Sequence, residues 1–348
     1  MSQGEFDIIH QYFDRPIGVE QGVTLGIGDD CAILDIPDGY QLVVTTDSLV
    51  SGVHFFDDVD PYRLGYKSLA VNLSDIAAMG AEAKWVSLAI TLPSIDEHWI
   101  SEFCRGFFAL ADKYQVQLIG GDTTKGPLSI TVSAKGIVKK GQALRRNGAQ
   151  PGDLLCVSGP LGDGGLGLAV KLLSGNCDKV DNQQAFIDAL ELTEPRLLLA
   201  KQLVNFASSC IDISDGLSQD LIHILEKSQC SAQVELENVP LSEAMKKQIQ
   251  KGHISQRQAW QFAASGGDDY ELLFTVPADK IAAFKQLLNT QVVSKEAVCY
   301  QIGKITASLA SNQQKEAVEH SASSYQAITF THLKQPINLD KAGWDHFK

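Results

Sequence analysis

Basic residues are scarce in this 348-residue chain: 29 Lys and Arg stand against 42 Asp and Glu, a formal net charge of −13. That balance speaks against a nucleic-acid binder, whose electrostatic footprint is basic. A polyanionic substrate would need metal cations or a local Arg/Lys cluster. Long apolar runs are also missing, and none approaches the roughly 20 residues that span a bilayer. The opening MSQGEFDIIHQYF has neither the basic nor the apolar region of a secretory signal. The seven cysteines (Cys31, Cys104, Cys156, Cys177, Cys210, Cys230, Cys299) are odd in number, scattered and never spaced CxxC. This excludes a disulfide framework or a zinc site of the common kinds. The eight histidines contain no HExxH, and there is no EF-hand loop. Walker A is absent too, because GGDTTKG (Gly120 to Gly126) sets its lysine among glycines at the wrong spacing. The expectation is a cytoplasmic protein with reduced, mostly buried thiols and neither nucleic acid nor membrane as partner.

What is present reads as a mixed α/β protein, of the α+β type, in two domains. WVSLAITL (Trp85 to Leu92) and LSITVSAKGIV (Leu128 to Val138) alternate as half-buried strands do, and QLVVTT (Gln41 to Thr46) reads as a short buried strand. Ser94 and Glu97 predict a capping box, followed by Trp99, Phe103, Phe107 and Leu110 at helical spacing. A second helix, LGYKSLAVNLSDIAAMGA (Leu64 to Ala81), carries Leu69, Leu73, Ile76 and Gly80 on one face, with Asn72 and Asp75 together on another. The polar, glycine-rich KKGQALRRNGAQPGD (Lys139 to Asp153) reads as the boundary. It separates an N-terminal domain, 1–140, from a C-terminal α/β domain, 150–348.

Aspartates recur beside glycines and hydroxyl residues: Asp29 and Asp30 in IGDD, Asp47 in TTDS, Asp75 in NLSD, Asp122 in GGDTT, Asp212 and Asp215 in DISD, Asp268 and Asp269 in GGDD. Singly, each is an ordinary turn or helix-cap residue, and Asp215 would cap the helix after it. As a set placed at the ends of apolar segments, they suggest one site. Mg²⁺ binds through carboxylate oxygens and fills its other positions with water and phosphate. Several such ions would also offset the repulsion between Asp29 and Asp30, whose burial without partners would be costly.

Other features stay open. GDGGLG (Gly162 to Gly167) is a literal GxGxxG between a strand and a helix, the context of a dinucleotide-binding fingerprint and hence of an NAD-dependent oxidoreductase, but Asp188 lies in a helical run rather than at the end of a second strand. A tight turn permitting close helix packing is the competing reading. Arg145 and Arg146, near Lys139 and Lys140, form the densest basic cluster and suit either a forked phosphate contact or a solvated linker. His54 could touch a substrate or sit satisfied in the core.

In this order, the motifs resemble the thiamine-monophosphate kinase family, within the superfamily of aminoimidazole ribonucleotide synthase. The likeness runs from GEFDIIHQYF to GWDHF and includes GIGDDCA, TTDSLVSGVHF, KSLAVNLSDIAAMGA, IGGDTT, RNGAQPGD, SGPLG, IDISDGL and SGGDDYELLFT. It implies transfer of the γ-phosphoryl group of ATP to thiamine monophosphate, and a homodimer whose N-terminal domains pair through their sheets. By position, Asp30, Thr45, Thr46, Asp47, Asp75, Asp122, Asp212 and Asp215 match magnesium ligands. Gly121, Asp122, Arg146 and Ser214 match ATP contacts. His54 and Asp268 match thiamine-substrate contacts, and Trp344 is the candidate for an aromatic contact to the thiamine ring. The family usually has Glu where Asp268 stands, so the side chain here is one methylene shorter. The rival readings are another ATP-dependent member of the superfamily and a non-catalytic nucleotide-binding protein. Selenide activation would want a reactive Cys beside a Lys near the N-terminus. Cys31, inside an apolar run, reads as packing.

Overall fold

The computed structural model describes residues 8–15, 22–172, 179–288, 299–308 and 327–339. Trp344 and Cys177 lie outside them. The chain divides into two compact units at Ala143/Leu144, inside the polar stretch between Lys139 and Asp153.

In the first unit, strands β3 (Tyr40–Val50), β4 (Glu82–Leu92), β5 (Gln117–Lys125) and β6 (Ser129–Lys139) form a sheet in the order β3-β6-β4-β5. β4 and β5 are parallel and the other pairs antiparallel, so β4 reaches β5 by a helical crossover, as parallel neighbours must. That helix is α2 (Glu97–Tyr114), which packs on α1 (Pro61–Ala78). The two helices approach so closely that a Cβ on Gly65 would stand 2.0 Å from the Phe103 carbonyl oxygen, and one on Gly106 1.8 Å from that of Tyr62. Leu69, Leu73 and Ile76 of α1 are fully buried, as are Val86, Ile130, Val132 and Ala134 on the strands. A two-stranded ribbon of β1 (Val23–Leu25) and β2 (Ile33–Leu34) supplies Val23 and Leu34 to a small cluster around Trp85, Ile119 and Ile137.

Four details differ from the sequence reading. QLVVTT is part of an eleven-residue strand at the sheet edge, and Leu42 and Val44 are exposed at 44% and 57%. Their side chains leave the helix-covered face, which the apolar pattern alone does not reveal. The cap of α2 is Asp96, whose side chain accepts the Trp99 N–H, rather than Ser94 two residues earlier. Gly80 lies beyond α1, with φ +65°. Asp29, Asp30 and Cys31 are exposed in the loop between β1 and β2, so no burial has to be offset there. Cys104, Cys156, Cys210 and Cys230 are buried.

In the second unit the sheet order is β13-β12-β9-β11-β7-β10-β8. It comprises β7 (Leu154–Val157), β8 (Ser209–Asp212), β9 (Cys230–Glu235), β10 (Leu272–Val276), β11 (Tyr300–Ala307), β12 (Ile328–His332) and β13 (Gln335–Pro336). Every pair is antiparallel except β9 with β12. β10 is buried along its whole length, the mark of a strand covered on both faces. Helices α3 (Asp163–Lys171), α4 (Gln183–Glu191), α5 (Leu197–Leu203), α6 (Leu217–Ser228), α7 (Glu243–Gln250), α8 (Gln256–Ser265) and α9 (Ile281–Leu288) complete the unit. Leu166, Phe186, Leu217, Leu221, Met245 and Ala259 fill the core against Val157, Ile211 and Leu273. Among the described residues no helix is long and apolar enough to cross a membrane.

Candidate active site

The first unit builds its carboxylate group on regular elements. Thr45 and Asp47 are two apart on β3 and share its helix-facing side, since strand side chains alternate. Asn72 and Asp75, three apart on α1, meet them there. The Thr45 hydroxyl donates to Asp75 Oδ2 at 2.5 Å, and the Asp47 N–H donates to Asn72 Oδ1 at 3.2 Å. Burial, and then the neighbouring Asp75 carboxylate, push the Asp47 carboxyl up to about 6. Two acids that disfavour each other's charge, with a hydroxyl beside them, form a hard-oxygen donor set that suits a divalent cation. Among the described residues no three His, Cys, Asp or Glu side chains lie close enough to hold a metal by themselves. Mg²⁺ does not require three, because one or two carboxylates plus water and phosphate complete its shell.

Other first-unit candidates lie apart from this group. Thr46 is exposed on the opposite face of β3 and donates to the Thr45 carbonyl at 2.8 Å. Gly121 and Asp122 are exposed on β5. β5 is the far edge of the sheet from β3, three strand spacings or roughly 14 Å away. Gly121 is required by backbone packing, for a Cβ there would come within 1.8 Å of the Leu88 carbonyl oxygen. His54 is a half-buried turn residue, not a core histidine; its Nδ1 accepts the Val50 N–H at 3.1 Å, which leaves Nε2 as the protonated nitrogen.

The second unit builds its group on loops. β8 ends at buried Asp212, and Ser214 and Asp215 follow in the turn before α6. Asp215 does not cap α6; Gly216 occupies that position, at φ +106°. Asp220, on the first turn of α6, reaches back instead, and its Oδ2 accepts the N–H of both Ser214 and Asp215 at 3.1 Å. Burial, then Asp212 and then Asp215, hold the Asp220 carboxyl well above its ordinary range. Asp220 belongs to none of the aspartate motifs, though its sequence carries a signal: it falls on the apolar face of α6 between Leu217 and Leu221. Arg146 is exposed, and its carbonyl accepts the Ser228 hydroxyl at 2.8 Å. Burial, and then the Arg146 charge, lower the His223 imidazole, against the opposite pull of Glu226 and then Asp215.

A second loop, Gly266 to Glu271, is strapped to the first. The Asp268 N–H donates to the Ser214 carbonyl at 2.8 Å, and the Tyr270 N–H to that of Ile213 at 2.7 Å. Asp268 is half-buried. The neighbouring Asp269 takes the Gly162 N–H on both carboxylate oxygens at 2.9 Å, and burial raises its carboxyl well above the ordinary range. This accounts for GDGGLG. Gly162 turns at φ +93°, and a Cβ on Gly164 would meet the Asp268 carbonyl oxygen at 2.5 Å. The glycines make a tight turn that admits the loop; Asp188 lies inside α4.

Fold and sites together define a two-unit protein of the AIR synthase related class: residues 28–138 match the family model for the AIR synthase related N-terminal domain, and residues 150–312 that for the C-terminal domain. Thiamine-monophosphate kinase of Haemophilus influenzae is 44% identical over 350 residues, covering 100% of this chain and 99% of the relative. The Escherichia coli K12 enzyme of that name is 43% identical over 349 residues, with 100% and 99% covered. Among solved structures, thiamine-monophosphate kinase from Stenotrophomonas maltophilia K279a superposes with a TM-score of 0.76 at 42% identity, over 83% of this chain and 90% of that one. A structure described as AaThiL complexed with AMPPCP and TMP gives 0.71 at 27% identity, over 92% of both chains. The chain belongs to the thiamine-monophosphate kinase family.

Proposed function

We propose that this protein transfers the γ-phosphoryl group of ATP to the phosphate of thiamine monophosphate, giving ADP and thiamine diphosphate, the last step in making that cofactor. The observation that carries this reading is likeness over the whole chain to enzymes of that name, including a related structure that holds an ATP analogue and TMP. Both carboxylate groups support it physically. An acidic protein has to bring two polyanions together, and it offers paired aspartates where cations would sit.

In this reading Asp30, Thr45, Thr46, Asp47, Asp75, Asp122, Asp212 and Asp215 hold several Mg²⁺ ions. Bound there, Mg²⁺ would neutralise phosphate charge and withdraw electrons from the transferred group. Gly121, Asp122, Arg146 and Ser214 contact ATP. His54 and Asp268 contact thiamine monophosphate, and Trp344 covers the thiamine ring. The attacking atom is a phosphate oxygen already ionised near neutral pH, so no general base is assigned. Asp47 and Asp75, fixed on β3 and α1, supply alignment and a preset field, the main contributions in phosphoryl transfer. Transfer is in line and direct, with no covalent phosphoenzyme.

The assembly in this reading is a homodimer. Leu42, Val44 and Val50 alternate along β3 on the face that α1 and α2 leave open, and all three are exposed. A second copy packed on that face about a two-fold axis along the strands would set its β5 edge near β3. That would bring an Asp122 to the Thr46 and Asp47 edge, which a single sheet cannot do. The setting is the cytoplasm, where ATP and reduced thiols are found.

The test is to incubate the purified chain with ATP, Mg²⁺ and thiamine monophosphate and to follow thiamine diphosphate by chromatography. Product is expected, and it should vanish with EDTA. ATP bound without turnover would move the search to other substrates of the superfamily.

A further inference from the structure

Within Gly267 to Tyr270, three residues are left-handed: Gly267 at φ +67°, Asp268 at +57° and Tyr270 at +50°. For residues other than glycine that conformation is strained, and it persists where the surroundings over-determine it. The Asp268 and Tyr270 N–H bonds to Ser214 and Ile213 hold the loop there, and three residues beyond Asp268 it ends on a buried ion pair. Glu271 is buried, with its side chain 4% exposed. Arg196 grips it in a fork, Nε to Oε2 at 2.7 Å and the terminal nitrogen to Oε1. The Ser158 hydroxyl also donates to Oε2, while its oxygen accepts the Leu272 N–H at 2.7 Å. The Glu271 carbonyl accepts the Ile213 N–H at 2.8 Å, which fastens this end of the loop beside β8. A Cβ on Gly159 would stand 2.2 Å from Glu271 Oε1, so the backbone there is cut back to admit the carboxylate.

A buried charge pair adds little net stability, and an apolar pair of similar volume often serves as well. A planar fork does something an apolar pair cannot: it fixes the direction of the chain that carries the carboxylate. We propose that Arg196 and Glu271 are a positioning pair that aims Asp268 at the thiamine monophosphate acceptor. This rests on the function proposed above and goes beyond it in assigning two residues that reach substrate only through another.

The test is steady-state kinetics with both substrates varied, on Arg196→Lys and on Ser158→Ala. The first keeps the charge and removes the fork; the second removes the hydroxyl shared between Glu271 and the Leu272 N–H and leaves the fork intact. For Arg196→Lys, KM for thiamine monophosphate should rise about tenfold, the size of one well-placed polar contact. Turnover and KM for ATP should stay within about twofold. Ser158→Ala should shift the same constant in the same direction by less. In an Asp268→Ala background, Arg196→Lys should leave KM where Asp268→Ala alone puts it, because a residue acting through Asp268 has nothing left to aim. Additive effects in that cycle, or equal rises in both KM values, would show a merely structural pair and overturn the assignment. Failure of the parent chain to phosphorylate thiamine monophosphate would overturn the function itself, a different result.

Discussion

Two aspartate groups in this molecule are held in place by different means. In the first unit, Asp47 and Asp75 stand within a strand and a helix packed through apolar residues such as Leu69, Leu73 and Ile76. In the second, Asp212 ends β8 and Asp215 lies in the turn after it, beside loops shaped by the carboxylates of Asp220, Asp269 and Glu271, which bind backbone N–H groups or Arg196. Each group contains an acid pushed upward by burial and then by its neighbours, Asp47 by Asp75 and Asp220 by Asp212. Element-borne carboxylates are positioned in advance by the packing of strand and helix. Loop-borne carboxylates need a second layer of acids to hold them.

That contrast can be broken by mutation. Asp75→Asn or Asp47→Asn should have the largest effect. kcat/KM is expected to fall about 1,000-fold, roughly 4 kcal/mol of transition-state stabilisation, while both variants stay folded because the elements remain packed. Substantial activity in either variant would remove the metal-holding role. Val44→Lys should come next, since it places a charge on the exposed face of β3. Sedimentation is expected to show monomer, with activity falling in proportion; an intact dimer would contradict the assigned face. Asp215→Asn should cost roughly 10- to 100-fold in kcat/KM, less than its first-unit counterparts because buried Asp212 stays in place beside it. The smallest effect concerns stability alone. Burial pushes the Asp163 carboxyl up to about 6, against the pull of the Ser242 hydroxyl at 2.9 Å. The folded chain therefore keeps that proton to a higher pH than the unfolded chain. Stability falls as pH rises from about 4 to about 6 and stays lower above it. Asp163→Asn should gain about 2 kcal/mol in urea unfolding at pH 8 and almost nothing at pH 4; a gain of the same size at both would refute the assignment.

Legibility in the sequence followed local physics. The strands at Trp85 to Leu92 and Leu128 to Val138 were readable because each buries one face. α1 was readable because Leu69, Leu73 and Ile76 recur at helical spacing. Ser94 was misread as a cap because Ser94 and Asp96 both precede the helix, and only backbone geometry chooses between them. The length and exposure of β3 were hidden, because Leu42 and Val44 look the same whether a helix or a second copy covers them. At the candidate site the aspartates announced themselves as a set, yet the sequence put most of them at element ends, whereas Asp47, Asp75 and Asp122 lie within β3, α1 and β5. The supporting layer of Asp220, Arg196 and Glu271 was missed. No motif spans the distance from Arg196 to Glu271; only the folded chain brings fork and carboxylate together.

The central claim is direct transfer between two bound substrates, with aspartates acting through cations and never as nucleophiles. It is tested most directly with ATP labelled in the γ-phosphate, mixed with thiamine monophosphate, Mg²⁺ and enzyme, and quenched within single turnovers. The account predicts label in thiamine diphosphate from the first time point, none on the protein, and no transfer once EDTA is added. Label trapped as an acyl phosphate on an aspartate, or transfer undiminished in EDTA, would contradict it.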